Sequence, residues 1–235
     1  MTKDLEQKKI DYAVSAAKGI IGAIPAIGPI FAEIIGEIVP NQRVDRIVAV
    51  LTELDKRLTA TEKASLTSNK YALSLFEDGM YQAARSLSEE RNKYIAIFLK
   101  GCASLEEDKF SIKKKLFFIL EDLTDLDIEI LLGMEHRSGH IRYKLTPRSV
   151  TYGEYNRLDE LQKFEYDSAK EAWDLHLSTL QRHGLIEPEY EQLDEREPNR
   201  HLDEKTGMPR IIDYNVTSLG KVFIRSIGHE IWKLR

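Results

Sequence analysis

Apolar residues recur every three or four positions through much of the first half of the chain. The pattern is clearest in Arg43–Leu58, where that period matches a helical turn and predicts an amphipathic helix with one buried face. A longer helix is predicted over about Ala60–Ser86, and Ser88 begins another. The first half therefore predicts a bundle of helices. The buried stripe of its clearest member comprises Val44, Ile47, Leu51, Leu54 and Leu58.

Residues 18–40, KGIIGAIPAIGPIFAEIIGEIVP, form a strongly apolar stretch that contains three prolines. Pro25 and Pro29 divide it into the end of one helix and a second, short helix, which together predict a helical hairpin. Its longest uncharged run, Gly19–Ala32, is shorter than the ~20 residues that a membrane-spanning helix needs. Small residues spaced by four let another helix approach closely, with isoleucines beside them. These hairpin residues are Gly28, Ala32, Gly36, Ile24 and Ile34.

Two interpretations of the hairpin stay open. In the first, its isoleucines are packed inside a soluble helical domain. In the second, the hairpin leaves the bundle on activation and inserts into a membrane. The preceding basic residues favour the second slightly, because they can meet anionic headgroups: Lys3, Lys8, Lys9 and Lys18.

Capping patterns mark helix starts in the second half of the chain. Ser104 with Glu107 has the S-x-x-E form, and Thr124 with Asp127 repeats it with a shorter acid. The segment KKKLFFILEDL lies between them, and LDIEILLGM follows Thr124. Both segments are rich in apolar residues and are predicted to be helical.

The last third of the chain predicts the order helix, strand, loop, strand, helix. A helix begins at Asp167 or Ser168 and ends at Gly184, and the extended run Arg210–Val216 precedes a final helix. That order is the one found in a winged helix. The fold predicted is mainly α, with an N-terminal helical bundle at residues 4–103 and a winged-helix-like module with a small β-wing at residues 104–235.

Composition and charge exclude several classes of protein. The chain has 235 residues and a net charge of −5, so its electrostatics give no general reason to expect nucleic acid as a partner. The predicted wing, residues 187–210, is itself acidic and would repel a duplex.

A single cysteine, Cys102, rules out an internal disulfide framework, and the first residues lack the apolar run of a signal peptide. The cytoplasm is therefore the expected location.

Basic residues form a candidate contact patch in two places. Lys113, Lys114 and Lys115 adjoin apolar residues on a predicted helix and can contact anionic lipid or a partner. A second strip would support DNA binding. The three lysines and this second strip also fit the simpler interpretation of a solvated surface. The strip consists of Arg137, Arg142, Lys144 and Arg148, with His140 among them.

No residue pattern predicts catalysis, a cofactor or a metal. His136 and His140 have the spacing of two ligands on one helix face but no third ligand nearby, and Cys102 is interpreted as a small buried residue. No nucleotide-binding or nucleophile-elbow motif is present. The protein is predicted not to be an enzyme. A cluster of acids is explained by helix capping and solvation: Glu121, Asp122, Asp125, Asp127 and Glu129.

Three segments together resemble a known family: LEDLTDLDIEIL, HLSTLQRHGLIE and YNVTSLGKVFIRSIG. Over about residues 112–231 the chain resembles the winged-helix-like region of the bacterial abortive-infection alpha proteins, which are tied to phage resistance. The first hundred residues loosely resemble glycine-rich helical bundles of bacterial conflict effectors. The resemblance implies a phage-defence protein that acts through contacts with itself or another defence component, with membrane perturbation by the hairpin as a conditional output. It implies no functional residue.

A rival hypothesis is a winged-helix transcriptional regulator that dimerises through its helical half. In a DNA-reading helix-turn-helix, a turn of a few residues joins the two helices. Here about thirty residues separate Met134 from Asp167, so nucleic acid is the less favoured partner.

Overall fold

The structure is a computed structural model that describes residues 22, 43–136, 150–192, 202 and 207–229. Over these residues the chain is mainly helical, with one two-stranded antiparallel sheet, which confirms the predicted fold class. Contacts divide the described residues into two compact units. The first comprises those up to Asp122 together with Ser226–His229, and the second comprises Leu123–Arg225.

The first unit is a bundle of helices around an apolar core. Large side chains from several helices are almost fully buried there, among them Leu54, Phe76, Phe98 and Phe117. The rings of Phe98 and Phe117 stack with their centroids 4.7 Å apart. The helices are α1 (Val44–Arg57), α2 (Ala60–Ser68), α3 (Lys70–Arg85), α4 (Glu89–Lys100) and α5 (Glu107–Asp122).

The apolar stripe predicted for α1 is confirmed where its side chains are described. Ile47, Leu51 and Leu54 are fully buried, and Leu58 is nearly so. The predicted start of α4 is confirmed as well, because the Ser88 hydroxyl accepts a hydrogen bond from the backbone N–H of Arg91 at 3.0 Å.

The single helix predicted over Ala60–Ser86 is wrong, because Asn69 ends α2 and begins α3. Its side-chain oxygen accepts hydrogen bonds from the backbone N–H groups of Tyr71 at 2.9 Å and Ala72 at 3.2 Å. Its amide nitrogen donates to the carbonyl oxygen of Leu105 at 2.7 Å. Asparagine favours the N-cap position, and the bond to a distant carbonyl holds this break within the bundle.

Helix α5 belongs to the first unit, so the division of the chain falls one helix after the predicted boundary at 103/104. Leu116, Phe117 and Leu120 of α5 are buried. The buried side chain of Gln82 donates a hydrogen bond to the carbonyl oxygen of Phe117 at 2.9 Å. Helix α5 begins at Glu107, so the predicted Ser104 cap does not start it.

The second unit packs its small sheet against two helices, Asp125–Glu135 and Glu160–Arg182. Ile186 pairs with Val216 and Tyr190 pairs with Ile211, with an irregularity in the register between Glu189 and Tyr190. The sheet confirms the two predicted extended segments. The elements are α6 (Asp125–Glu135), α7 (Tyr152–Tyr155), α8 (Glu160–Arg182), β1 (Ile186–Tyr190), β2 (Ile211–Val216) and α9 (Ser218–Ser226).

Helix α8 begins about two turns before its predicted start. Asp159 caps it, since the side chain accepts from the backbone N–H of Gln162 at 2.9 Å while Gln162 accepts from that of Asp159 at 3.1 Å. Its predicted end is confirmed: Gly184 has a φ of 68°, which favours glycine. The hydroxyl of Thr217 donates to the Gly184 carbonyl oxygen at 2.6 Å and ties this turn to the start of α9.

The apolar hairpin lies outside the described residues, and both interpretations of it stay predictions. Within 43–136, 150–192 and 207–229, no helix combines the length and the apolar character required to cross a bilayer. The hairpin residues concerned are Gly28, Ala32, Gly36, Ile24 and Ile34.

Candidate protein-interaction surface

The last third of α8 is anchored in the second unit by apolar and polar contacts. Leu177 and Leu180 are buried. Nδ1 of His176 lies 2.7 Å from Oδ1 of Asp127 on α6, and Asp127 is only 2% exposed. A carboxylate only accepts hydrogen bonds, so His176 donates through its Nδ1–H. These contacts fix the rotation of α8 about its own axis.

The second carboxylate oxygen of Asp127 completes the predicted capping box. It accepts hydrogen bonds from the backbone N–H of Thr124 at 2.7 Å and from the Thr124 hydroxyl at 2.6 Å. With His176, three donors therefore meet one buried carboxylate, which leaves neither oxygen unpaired. The sequence predicted the cap but not the histidine, which lies 49 residues away along the chain.

A histidine held by a buried aspartate is a common part of acid–base sites, where the pair activates a nucleophile. Among the described residues, His176 has no hydrogen bond to a serine, threonine or cysteine side chain. Those same residues hold no cluster of three potential metal ligands. What the pair does in the structure is join α8 to α6.

The face of α8 that points away from its anchored side is apolar. Leu161, Phe164 and Leu175 are 68%, 69% and 67% exposed, respectively. Together with Ser168 and Ala172, they follow each other at intervals of three or four residues and form one stripe, which we call the outer stripe. A turn of about 100° per residue places this stripe opposite Leu177 and Leu180. The helix thus has two apolar faces, and the unit covers only one.

The first half of α8 has little cover from the second unit. No side chain of Glu160–Ala172 is buried. Helix α7 contacts this half away from the outer stripe: the Tyr155 hydroxyl donates to Oδ2 of Asp167 at 2.7 Å. That hydrogen bond is the main reason the pKa of Tyr155 is raised. Leu161 and Phe164 consequently lie on a helical segment that is open to solvent.

The surface beside the outer stripe is acidic. Residues 159–175 contain six carboxylates and two lysines, a net charge of −4. Lys163 is paired with Glu160 at 3.2 Å. Asp174 also contributes to the raised pKa of Tyr214, for which burial is the larger cause. The exposed face therefore combines large apolar side chains with negative charge.

The predicted basic patch on α5 is spread around the helix. Nζ of Lys113 lies 5.3 Å from the centre of the Phe98 ring, and Nζ of Lys114 lies 3.4 Å from Oδ2 of Asp78. Lys115 is exposed. Consecutive residues of a helix point about 100° apart, so the three ammonium groups do not share one surface. The second basic strip lies outside the described residues: Arg137, Arg142, Lys144 and Arg148.

Two other predicted positions have ordinary environments. Cys102 is fully buried, as interpreted from the sequence. Burial disfavours the thiolate and raises the pKa of the thiol to about 11, which makes it a poor nucleophile. His136 is partly buried, and its predicted partner His140 lies outside the described residues.

The resemblance of residues 112–231 to the abortive-infection alpha proteins remains a prediction. No family model matches the chain, and neither a curated protein nor a solved structure is significantly similar to it.

Proposed function

We propose that the protein is a non-enzymatic component of a bacterial phage-defence or related conflict system and acts in the cytoplasm through protein contacts. The observation that carries the contact part is the outer stripe of α8, three large apolar side chains about two-thirds exposed on a helix anchored by its other face. Exposed apolar patches of this kind mark binding surfaces in folded proteins. The defence role rests on the resemblance, with membrane perturbation as its conditional output.

The outer stripe offers apolar surface that would contribute part of the free energy of a reversible complex. Full burial of a leucine or phenylalanine side chain contributes about 1.5–3 kcal/mol. Burial of the exposed two-thirds of Leu161, Phe164 and Leu175 would thus contribute roughly 3–6 kcal/mol in total, before the entropic cost of association. The stripe would be the centre of an interface, with polar contacts around it.

The winged-helix arrangement is part of this proposal, supported by the order α8, β1, β2 and by the packing of β1 on α8. The rival role as a DNA-binding regulator gains no support from the same helix. In a winged helix, α8 would be the helix that reads DNA, and the net charge of −4 over residues 159–175 opposes phosphate contact. We therefore assign α8 to a protein partner.

A phage challenge tests both parts of the proposal. The gene, together with its native neighbouring genes, is expressed in a susceptible bacterial host, and plaque numbers are compared with an empty-vector strain. Wild-type protein is expected to reduce plaque formation. A double variant, Leu161→Asp with Phe164→Asp, is expected to lose this effect because charge on the outer stripe prevents its burial.

The matched control is Leu87→Asp, because Leu87 is 89% exposed and lies in the first unit. It is expected to protect as well as wild type. Circular dichroism and soluble yield show that each variant is folded. Full protection by the α8 double variant would overturn the outer stripe as the carrier of function. Unreduced plaque numbers with wild type would overturn the defence role.

A further inference from the structure

We infer that the partner of the outer stripe is a basic amphipathic helix, an inference that rests on the proposed function and names its partner. The stripe runs from Leu161 to Leu175, which is roughly 21 Å of helix at 1.5 Å per residue. A second helix with apolar residues at intervals of three and four would cover it along its length. The charges beside the outer stripe determine which kind of helix can bind to it.

Acids lie on both borders of the outer stripe. At about 100° per residue, Glu160 and Glu171 fall on one side of it and Glu165 on the other. All three are at least partly solvent-accessible. The two lysines of the segment lie behind the stripe: Lys163 is paired with Glu160, and Lys170 is on the far side of the helix. A partner helix would therefore meet carboxylates on both flanks.

Flanking charges of this kind set partner choice between helices. A second copy of α8 fits poorly, because pairing in either direction would bring two segments of net charge −4 together. Nucleic acid and anionic lipid would meet the same repulsion. A helix with lysine or arginine on either side of its apolar seam would bury the stripe and form ion pairs along both borders.

Two designed peptides test this inference by fluorescence anisotropy with the full chain. Each is a labelled helix of about 21 residues with leucine at the seam positions a and d. One has lysine at the flanking positions e and g, and the other has glutamate there. The lysine peptide is expected to bind about tenfold more tightly than the glutamate peptide or better. Its affinity should fall as salt is raised from about 50 to about 300 mM, because salt screens exposed pairs.

Three variants locate the binding. Leu161→Asp with Phe164→Asp is expected to remove it. Glu165→Lys with Glu171→Lys keeps the outer stripe but reverses the border charge, and is expected to reverse the preference between the two peptides. The control Leu87→Asp should bind the lysine peptide as wild type does.

Several results would overturn the inference. Equal binding of both peptides would show that the stripe recognises apolar surface without charge, and binding of neither would remove a helical partner. Sedimentation of the wild type as a dimer that Phe164→Asp dissociates would assign the stripe to a second copy. Flotation with neutral phosphatidylcholine vesicles that is lost in the same variant would assign it to a membrane. Each of these leaves the phage challenge to decide the proposed function separately.

Discussion

Helices α1 and α8 contain the same local pattern and use it in opposite ways. In α1, the stripe formed by Ile47, Leu51 and Leu54 is fully covered by the bundle. In α8, the outer stripe has a similar helical spacing but remains about two-thirds exposed. Periodicity thus shows that a helix has an apolar face, whereas only the tertiary structure shows whether the chain covers that face itself.

The first unit and α8 also differ in how far their charged side chains are paired within the chain. In the first unit, ion pairs join separate helices: Lys63 to Asp55 at 2.8 Å, Lys114 to Asp78 at 3.4 Å and Arg85 to Glu121 at 2.8 Å. On α8, carboxylates outnumber lysines by six to two over residues 159–175. The bundle thus matches its own charges, whereas α8 is complementary to a cationic surface.

The largest effect is expected from the core of the bundle. Phe117 is 1% exposed and its neighbour Phe118 is 47% exposed, so the two give a matched pair on one helix. Phe117→Ala should lower the free energy of unfolding by about 3–5 kcal/mol, because it removes apolar contacts and leaves a cavity. Phe118→Ala should cost less than about 1 kcal/mol. Denaturant unfolding followed by circular dichroism measures both.

Cys102 gives an independent check on this pair. Its burial keeps the thiol protonated and shielded, so alkylation of the native protein near neutral pH should be slow. Phe117→Ala should speed the labelling more than Phe118→Ala does. Similar losses of stability and similar labelling rates in the two variants would contradict the assignment of Phe117 to the core.

The second effect concerns a close backbone approach at Gly220 in the second unit. A Cβ atom on Gly220 would lie 2.2 Å from the carbonyl oxygen of Leu185. This oxygen belongs to the backbone, which cannot move aside as the end of a flexible side chain can. Gly220→Ala should therefore destabilise this unit by roughly 2–3 kcal/mol. Gly153→Ala is the control, since nothing lies within 4 Å of its Cβ position. Equal unfolding midpoints for the two variants would show that α9 adjusts freely.

The third effect compares two capping boxes that differ in burial. Asp127→Ala should cost about 2 kcal/mol, because it removes a cap and leaves His176 without its partner. Glu62→Ala removes the acid of an exposed capping box at the start of α2 and should cost less than about 1 kcal/mol. Urea titrations of both variants at neutral pH measure the difference. Equal losses would mean that burial adds nothing to the Asp127 cap.

The Glu62 cap has a defined pH dependence. A hydrogen bond from the backbone N–H of Thr59 is the main reason that the pKa of Glu62 is lowered in the folded protein. Its contribution is therefore present above the unfolded pKa and is lost as the pH falls through the folded pKa. Stability curves of wild type and Glu62→Ala should converge in acid, and a gap that persists there would contradict this cause.

Sequence patterns predicted the features that depend on neighbours along the chain. The stripe of α1, the Ser88 cap, the Thr124–Asp127 box and the glycine turn at Gly184 are all local. The break at Asn69 was missed because apolar residues continue on both sides of it. What fixes Asn69 in the bundle is partly a carbonyl 36 residues away.

The candidate surface was missed for a related reason. Leu161 and Phe164 precede the predicted start of α8, so they were not assigned to a helix face. The D-x-x-Q pattern from Asp159 to Gln162 is a signal that would have found them, since it starts a helix with this spacing. No local signal indicates that His176 contacts Asp127, and that contact, together with the burial of Leu177 and Leu180, fixes which face of α8 points outward.

The smallest change in stability is expected on the outer stripe, and it separates an exposed face from a covered one. Leu161→Ser with Phe164→Ser should change the free energy of unfolding by no more than about 0.5 kcal/mol, because both side chains are largely in water already. Leu180→Ala, on the anchored face of the same helix, should cost about 2–5 kcal/mol. Denaturant unfolding of both variants makes the comparison. If the outer-stripe variant lost as much free energy of unfolding as Leu180→Ala, the chain itself would cover Leu161 and Phe164. The outer stripe would then not be a binding surface.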